Sequence, residues 1–400
     1  MISRKQYLDR LISLKDKQII KVVTGIRRCG KSTLFVLYQD YLLSNGIEQS
    51  QIQSINFEDL NFSELTDLKK LHAHLLENLH KNKKNYIFLD EIQNVPDFQK
   101  VVDSLFIRKN IDIYITGSNA FIMSGELATL LSGRYIEIKM MPLSFFEYQL
   151  HYKSNNLSSL YVDYITKSSF PYTLMLEGDK QNIRSYLEGI YNTILVKDIA
   201  DRKKLIDISQ LQRVIRFMAY NIGNLVSIKK IADTMTSDGQ KISTHTVEDY
   251  LESLMQAYVF YQVNRYDVKG KELLKTGAKY YIADIALRYL LLADKKQDYG
   301  HILENVVYLE LVRRGYLVYV GKVDTQEVDF VAIRNDTIEY YQVALTVLDE
   351  STLERELRPL VKISDNNPKT LLTMDILPNT NHNGIWQKNV LNWLIGSENN

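Results

Sequence analysis

Gly25-Ile26-Arg27-Arg28-Cys29-Gly30-Lys31-Ser32 satisfies G-x-x-x-x-G-K-[ST], the spacing of a loop that wraps a phosphate chain. In such a loop the backbone N–H groups of the variable residues Ile26 to Cys29 do the cradling, and their side chains carry no catalytic role. The Lys31 ammonium would reach the β- and γ-phosphates of ATP, the Ser32 hydroxyl would sit on Mg²⁺, and Thr33 follows directly. Asp90 and Glu91 end the apolar run Tyr86–Leu89. Asp90 suits the holding of Mg²⁺, usually through water, and Glu91 suits the polarising of an attacking water. Ser118 or Asn119 can orient water or sense the γ-phosphate, a plain turn being the alternative. Arg134 reads either as an arginine finger, in cis or across a subunit interface, or as half of a structural salt bridge. The chemistry these residue types spell is hydrolysis of Mg²⁺·ATP to ADP and phosphate.

The flanking elements are those that would position this chemistry. Ile19–Thr24 is a β-branched run that reads as a buried strand. Residues 33–43 carry apolar side chains at 34, 37, 38, 41 and 42, one face of a helix. Strand, glycine loop and helix together aim backbone N–H groups and a helix N-terminus at a phosphate. Further strands are expected at Ile52–Phe57, Tyr86–Leu89, Ile111–Thr116 and Tyr135–Lys139, with helices over 63–80 and around Phe98–Phe106. The alternation predicts a parallel sheet whose carboxyl ends line the ligand crevice, with the acid-bearing strand beside the P-loop strand. His72, His74 and His80 lie on the 63–80 helix, where i,i+2 neighbours point apart, so a solvated face is the reading rather than a metal site.

Length and composition set the outer bounds. Four hundred residues imply two or three domains, and 45% hydrophobic with 24% charged residues is ordinary for a globular protein. The net charge of +1 gives no support for a strongly nucleic-acid-binding chain, although local basic patches remain open. Cys29 is the single cysteine, which excludes an intrachain disulfide framework and fits a reducing cytosol. No apolar run approaches a membrane span and the N-terminal residues lack the apolar core of a signal peptide, so the expected location is cytoplasmic, without a membrane partner.

The stretches GIRRCGKST, YIFLDEIQNV, YITGSNAFIMSGELATLLSGRYIEI and MPLSFFEY, in this order, closely resemble prokaryotic AAA+-like ATPases of the archaeal-ATPase type. The resemblance implies an additional-strand P-loop core with Walker A at 25–32, Walker B at 86–91, a sensor region at 116–119 and the family arginine at Arg134. It also implies ATP and Mg²⁺ as ligands, and a C-terminal domain extending through most of the remaining chain.

The second half divides by pattern. Residues 143–204 read as a helical lid, with Phe145, Phe146, Tyr148 and Leu150 as core and Arg202-Lys203-Lys204 as a solvated helix end. Residues 205–283 show helical patterns at 211–221, 228–235 and 247–258, then strands at 258–263 and 279–282, the order of a winged helix. The third helix is acidic where phosphate contacts belong, while Lys229, Lys230, Lys241, Lys269, Lys271 and Lys275 add positive charge, so DNA and protein remain equal candidates as its partner. Residues 284–400 place Glu304 on a helix, Asp329 on a strand and Gln342 on the next, which resembles the PD-(D/E)XK nuclease fold. In that fold the carboxylates hold Mg²⁺ and a lysine assists the attacking water. Ala344 stands at the lysine position and no lysine lies nearby on the same strand face, so a nuclease-like but degenerate domain is expected. The expected architecture is α/β: a P-loop additional-strand sheet over 1–142, a lid over 143–204, a winged helix over 205–283 and a mixed α/β restriction-endonuclease-like domain over 284–400. The leading function is an ATPase switch or motor acting on DNA or protein, possible as an oligomer. The alternatives are an ATP-regulated Mg²⁺-dependent DNA nuclease and a non-hydrolysing scaffold.

Overall fold

The computed structural model describes residues 2–120, 131, 133–200, 207–239, 241–292 and 298–397. The chain forms two compact units, Met1–Pro142 with Gln256–Tyr258, and Leu143–Met255 with Val259–Asn400.

The first unit runs α1 (Lys5–Ser13), β1 (Ile20–Thr24), α2 (Lys31–Ser44), β2 (Ile52–Asn56), α3 (Leu68–Glu77), β3 (Asn85–Asp90), α4 (Phe98–Phe106), β4 (Ile111–Gly117) and β5 (Tyr135–Lys139). Its strands pair in parallel in the order β2-β3-β4-β1-β5. Every residue of β1, β3 and β4 is buried, as continuous apolar runs are when both faces of a parallel sheet are covered. Leu71 and Leu75 of α3 and Val102 and Leu105 of α4 pack with Val22, Leu89, Ile113 and Ile115 in one core. The helix expected over 63–80 begins only at Leu68, because the Asp67 carboxylate accepts the N–H groups of Lys69 and Lys70 and caps it there. Residues Leu60–Thr66 form a 3₁₀ segment instead.

The sheet order corrects one expectation. The acid-bearing β3 does not lie beside the P-loop strand β1; β4 is inserted between them. This brings the carboxyl end of β4, at Thr116 and Gly117, between β1 and β3.

The second unit begins with α5 (Phe145–Tyr152), α6 (Leu157–Lys167), α7 (Lys180–Thr193), α8 (Ile208–Tyr220), α9 (Ile228–Ser237) and α10 (Thr244–Gln256). It continues β6 (Phe260–Asp267), β7 (Glu272–Ile282), α11 (Ile285–Leu291), α12 (Tyr299–Arg313), β8 (Leu317–Val323), β9 (Gln326–Arg334) and β10 (Thr337–Ala344). It closes with α13 (Glu350–Val361), β11 (Lys369–Thr373), β12 (Thr380–His382), β13 (Ile385–Asn389) and α14 (Val390–Ile395). The helices read as a lid fold within this unit. After α6, the hydroxyls of Ser168 and Ser169 donate to Asp284 at 3.1 and 2.6 Å, and the same carboxylate caps α11 through the Leu287 N–H at 3.0 Å. Arg202, Lys203 and Lys204 lie outside the described residues.

The hairpin β6–β7 is antiparallel, as a wing would be, but it is also the end of an eight-stranded sheet of order β12-β13-β11-β10-β9-β8-β6-β7. The join is made by β6 pairing in parallel with β8 through Arg265–Asp267. One sheet therefore spans the division expected at residue 283. Its core contains Val323, Val328, Val331, Tyr340, Leu360 and Leu371, with Val268 from beyond the end of β6.

Candidate nucleotide site and a second polar centre

The loop between β1 and α2 is shaped by two glycines. Gly25 has φ +146°, and a Cβ there would lie 2.0 Å from the Met140 carbonyl oxygen. Met140, just past β5, also donates its N–H to the Thr24 carbonyl at 2.7 Å, so the strand end is fastened onto the loop. Gly30, at φ +104°, is the N-cap of α2, which leaves the helix's first N–H groups facing the loop. The buried Arg4 closes the loop from the far side: its guanidinium donates to the carbonyls of Cys29 at 3.0 Å and Met141 at 2.5 Å. Ile26 and Cys29 are buried, whereas Arg28 is exposed at φ +66° and Arg27 pairs with Glu58 at 3.0 Å. Burial pushes the Cys29 thiol up, so it is no reactive thiolate.

Lys31 is buried, and its Nζ donates to the Gly25 carbonyl at 3.1 Å and lies 3.6 Å from Glu91 Oε1. Thr116 bridges the two acids: its hydroxyl donates to Asp90, and it accepts the Glu91 N–H at 2.8 Å. The neighbouring Ser32 hydroxyl favours the ionised Asp90 carboxylate, as Thr116 does. Burial pushes the Asp90 carboxyl above its ordinary value, although Ser32 and Thr116 pull the other way. A hydroxyl beside a buried carboxylate is an oxygen donor pair of the kind Mg²⁺ takes, so Ser32 and Asp90 fit the expected ion. Burial also raises Glu91, but the Lys31 charge, the Gln93 amide, Arg27 and Ser118 outweigh it and hold this carboxyl below the usual range. Glu91 takes φ +53°, a left-handed conformation that turns the chain out of β3 directly after Asp90.

The structure thus brings Lys31, Ser32, Asp90 and Glu91 together. Ser118 and Asn119 are buried at the end of β4, and Ser118 Oγ is 3.5 Å from the Gln93 amide nitrogen that donates to Glu91 Oε2 at 2.5 Å. Arg134 is a correction. It precedes β5 at the amino end of the sheet, where its carbonyl accepts the Ile20 N–H, while the P-loop leaves β1 beyond Thr24. Five strand residues separate those ends by about 16 Å. Its guanidinium pairs with Asp103 and lies 5.6 Å from the Phe106 ring centre. The salt-bridge reading describes Arg134, and a finger acting in cis on its own P-loop does not. Sequence reasoning missed Arg4, Gln93 and the bridging role of Thr116. Gln93 was legible as a polar residue two positions beyond Glu91; nothing in the local pattern around Arg4 announced it.

A second polar centre lies within the C-terminal unit. Glu304 on α12 and Asp329 on β9 converge, and Gln342 of β10 accepts the Asp329 N–H at 3.2 Å. No lysine stands on β10, as expected, but one reaches this centre from another strand. Lys279, on β7, places Nζ 2.8 Å from Glu304, 2.7 Å from Glu327 and 3.7 Å from Asp329. Strands β6 and β8 lie between β7 and β9 in the sheet order, so inspection of β10 and its sequence neighbours could not find this lysine.

Over 401 residues the chain is 43% identical to an uncharacterized protein of Haemophilus influenzae, covering 99% of each. It is 32% identical over 368 residues to an uncharacterized protein of Methanocaldococcus jannaschii, covering 86% of this chain and 78% of that one. The chain belongs to the family of these two proteins. Residues 17–149 match the AAA domain family, and residues 158–298 match a domain of unknown function. A Walker-type ATPase of Pyrococcus abyssi is similar in structure at a TM-score of 0.46 and 15% identity, over 73% of this chain and 96% of that one. The AAA domain supports ATP binding and hydrolysis as the chemistry of the first unit. Among the described residues no helix is long and apolar enough to cross a membrane.

Proposed function

We propose that this protein is an ATP-hydrolysing switch or motor whose first unit binds Mg²⁺·ATP and releases ADP and phosphate, acting on a DNA or protein partner. The observation that carries the reading is the convergence of Lys31, Ser32, Asp90, Thr116 and Glu91 between β1, β4 and β3. The α2 N-terminus and the loop N–H groups bind the phosphates, and the Lys31 ammonium exchanges loop carbonyls for phosphate oxygens. Ser32 and Asp90 would hold Mg²⁺, which when bound neutralises phosphate charge and stabilises the leaving group. Glu91, kept ionised by its neighbours, orients water and accepts its proton. Gln93 and Ser118 fix the direction in which that carboxylate points. Such positioning and charge stabilisation are what phosphoryl transfer requires of a protein.

A non-hydrolysing scaffold would have no use for Glu91, which speaks for turnover. The helices α8 to α10 with the hairpin β6–β7 support a winged-helix-like partner surface, on which Lys229, Lys230, Lys241 and Lys271 are exposed. An Arg134 finger, if used, would belong to a second copy of the chain.

Lys31→Ala is expected to abolish nucleotide binding. Glu91→Gln is expected to retain ATP while slowing turnover by about a hundredfold or more. Calorimetric nucleotide titration and a phosphate-release assay, with and without DNA, test both. ATP hydrolysis at the wild-type rate in both purified variants would overturn the site assignment.

A further inference from the structure

The likeness of Glu304, Asp329 and Gln342 to a nuclease centre implies a divalent cation, and the residues present do not fit one. Glu304 Oε1 already accepts from the Lys279 ammonium and from the Tyr281 hydroxyl. Asp329 Oδ2 accepts the Val343 N–H at 2.9 Å. The only atom by which Gln342 could bind a metal, Oε1, accepts the Asp329 N–H, and its amide nitrogen donates to Glu356 at 2.9 Å. Those two bonds leave no alternative orientation of the amide, since the carboxylate requires the NH₂ end. Among the described residues no group of three histidine, cysteine or acidic side chains is disposed to hold a metal ion.

What stands at the point of convergence is Lys279. Its side chain is buried, and three carboxylates from α12 and β9 lie within 3.7 Å of its Nζ. An ammonium offers three donors and one positive charge. We infer that Lys279 is a built-in cation that replaces the divalent metal of a nuclease-like centre and converts it into an ion-pair clasp joining β7, α12 and β9.

The charge balance agrees with the geometry. Burial and the neighbouring Glu304 charge push the Asp329 carboxyl above its ordinary value, while the Lys279 ammonium and the Val343 N–H pull the other way. Glu304 is then matched by the ammonium, and Glu327 keeps a third of its side chain in solvent, where water shares its charge. The absence of a cationic side chain at Ala344 follows from the same replacement: with no metal-bound water to activate, a lysine on β10 has no task. The clasp also anchors the β7 arm of the wing-like hairpin to α12 and β9.

The test uses the full-length, nucleotide-free protein and Mn²⁺ alone as probe, followed by electron paramagnetic resonance. Wild type and Asp329→Asn are expected to take up Mn²⁺ identically, and neither is expected to nick supercoiled plasmid. Lys279→Ala, which vacates the ammonium's position, is expected to gain a Mn²⁺ site about a hundredfold tighter than anything in wild type, lost again on adding Asp329→Asn. Wild-type Mn²⁺ uptake or plasmid nicking that Asp329→Asn removes would overturn the inference and restore the centre as a metal-dependent nuclease. So would a folded Lys279→Ala protein, verified by circular dichroism, that gains no site. Should that variant fail to fold, the comparison of wild type with Asp329→Asn decides alone. None of these readouts depends on ATP hydrolysis, so failure here and failure of the ATPase reading are separate results.

Discussion

Lys31 and Glu91 are buried with Nζ and Oε1 3.6 Å apart. A buried pair of opposite charges is costly to break from one side only, because the remaining charge is left without compensation. Phosphate oxygens provide the compensation for Lys31, and the Gln93 amide provides it for Glu91. Gln93 is therefore a positioning residue: it keeps the carboxylate ionised and aimed once the lysine has turned to its ligand. Gln93→Ala should lower kcat about tenfold with KM changed by less than about twofold. The Gln93 amide helps to hold Glu91 below its ordinary value, so its loss lets the carboxyl rise. The acid limb of the kcat profile should then move to higher pH. Steady-state rates across a pH series check both effects, and an unshifted profile with unchanged kcat would remove Gln93 from the site.

At the scale of elements, the site depends on three strand ends being held in register. β4 delivers Thr116 between the acids and the P-loop, and the end of β5 is fastened to the loop through Met140. The close approach of Met140 explains why only glycine serves at 25, independently of any nucleotide. Gly25→Ala should destabilise the first unit by about 3 kcal/mol, combining a left-hand-side backbone conformation with an overpacked contact. A thermal melt would show this as a lowered transition even without ATP, and an unchanged melting temperature would mean that the loop yields elsewhere. Glu137 of β5 adds a further tie, accepting from the Thr24 hydroxyl at 2.7 Å and from the Tyr258 hydroxyl at 3.1 Å. Tyr258 belongs to the three-residue segment Gln256–Tyr258, which returns to the first unit between α10 and β6. The strands themselves were legible because buried parallel strands read as unbroken apolar runs, and Asp90–Glu91 marked where β3 ends. The start of α3 was less so, since Leu65 packs against the same core as Leu71 although it precedes the Asp67 cap.

For the whole molecule, the second polar centre makes stability depend on pH in a definable sense. Asp329 is raised in the native state, so the folded protein binds that proton more tightly than the unfolded chain does. The stability this contributes is complete below the ordinary carboxylate range and is lost as pH rises toward the raised native value. Asp329→Asn removes the titration. The melting temperature of the variant minus that of wild type should therefore increase as pH rises out of the ordinary carboxylate range. A difference that stays level or falls across that series would show that Asp329 is ionised in the native protein.

The sequence by itself pointed to the proposed ligand chemistry, because a P-loop does its work through backbone and through residues at fixed spacing. Lys31 and Ser32 were proposed from one strand, turn and helix, and Asp90 and Glu91 from the end of a separate apolar run. Tertiary structure decided the rest. It set Arg134 at the wrong end of the sheet for its own P-loop, inserted β4 between β1 and β3, and used Arg4 to close the loop from 25 residues away. It also supplied Lys279 from a strand that shares no ladder with β9 or β10. A lysine missing from its place in a motif can be replaced by one whose ammonium arrives through space. Only the fold determines which charges meet there.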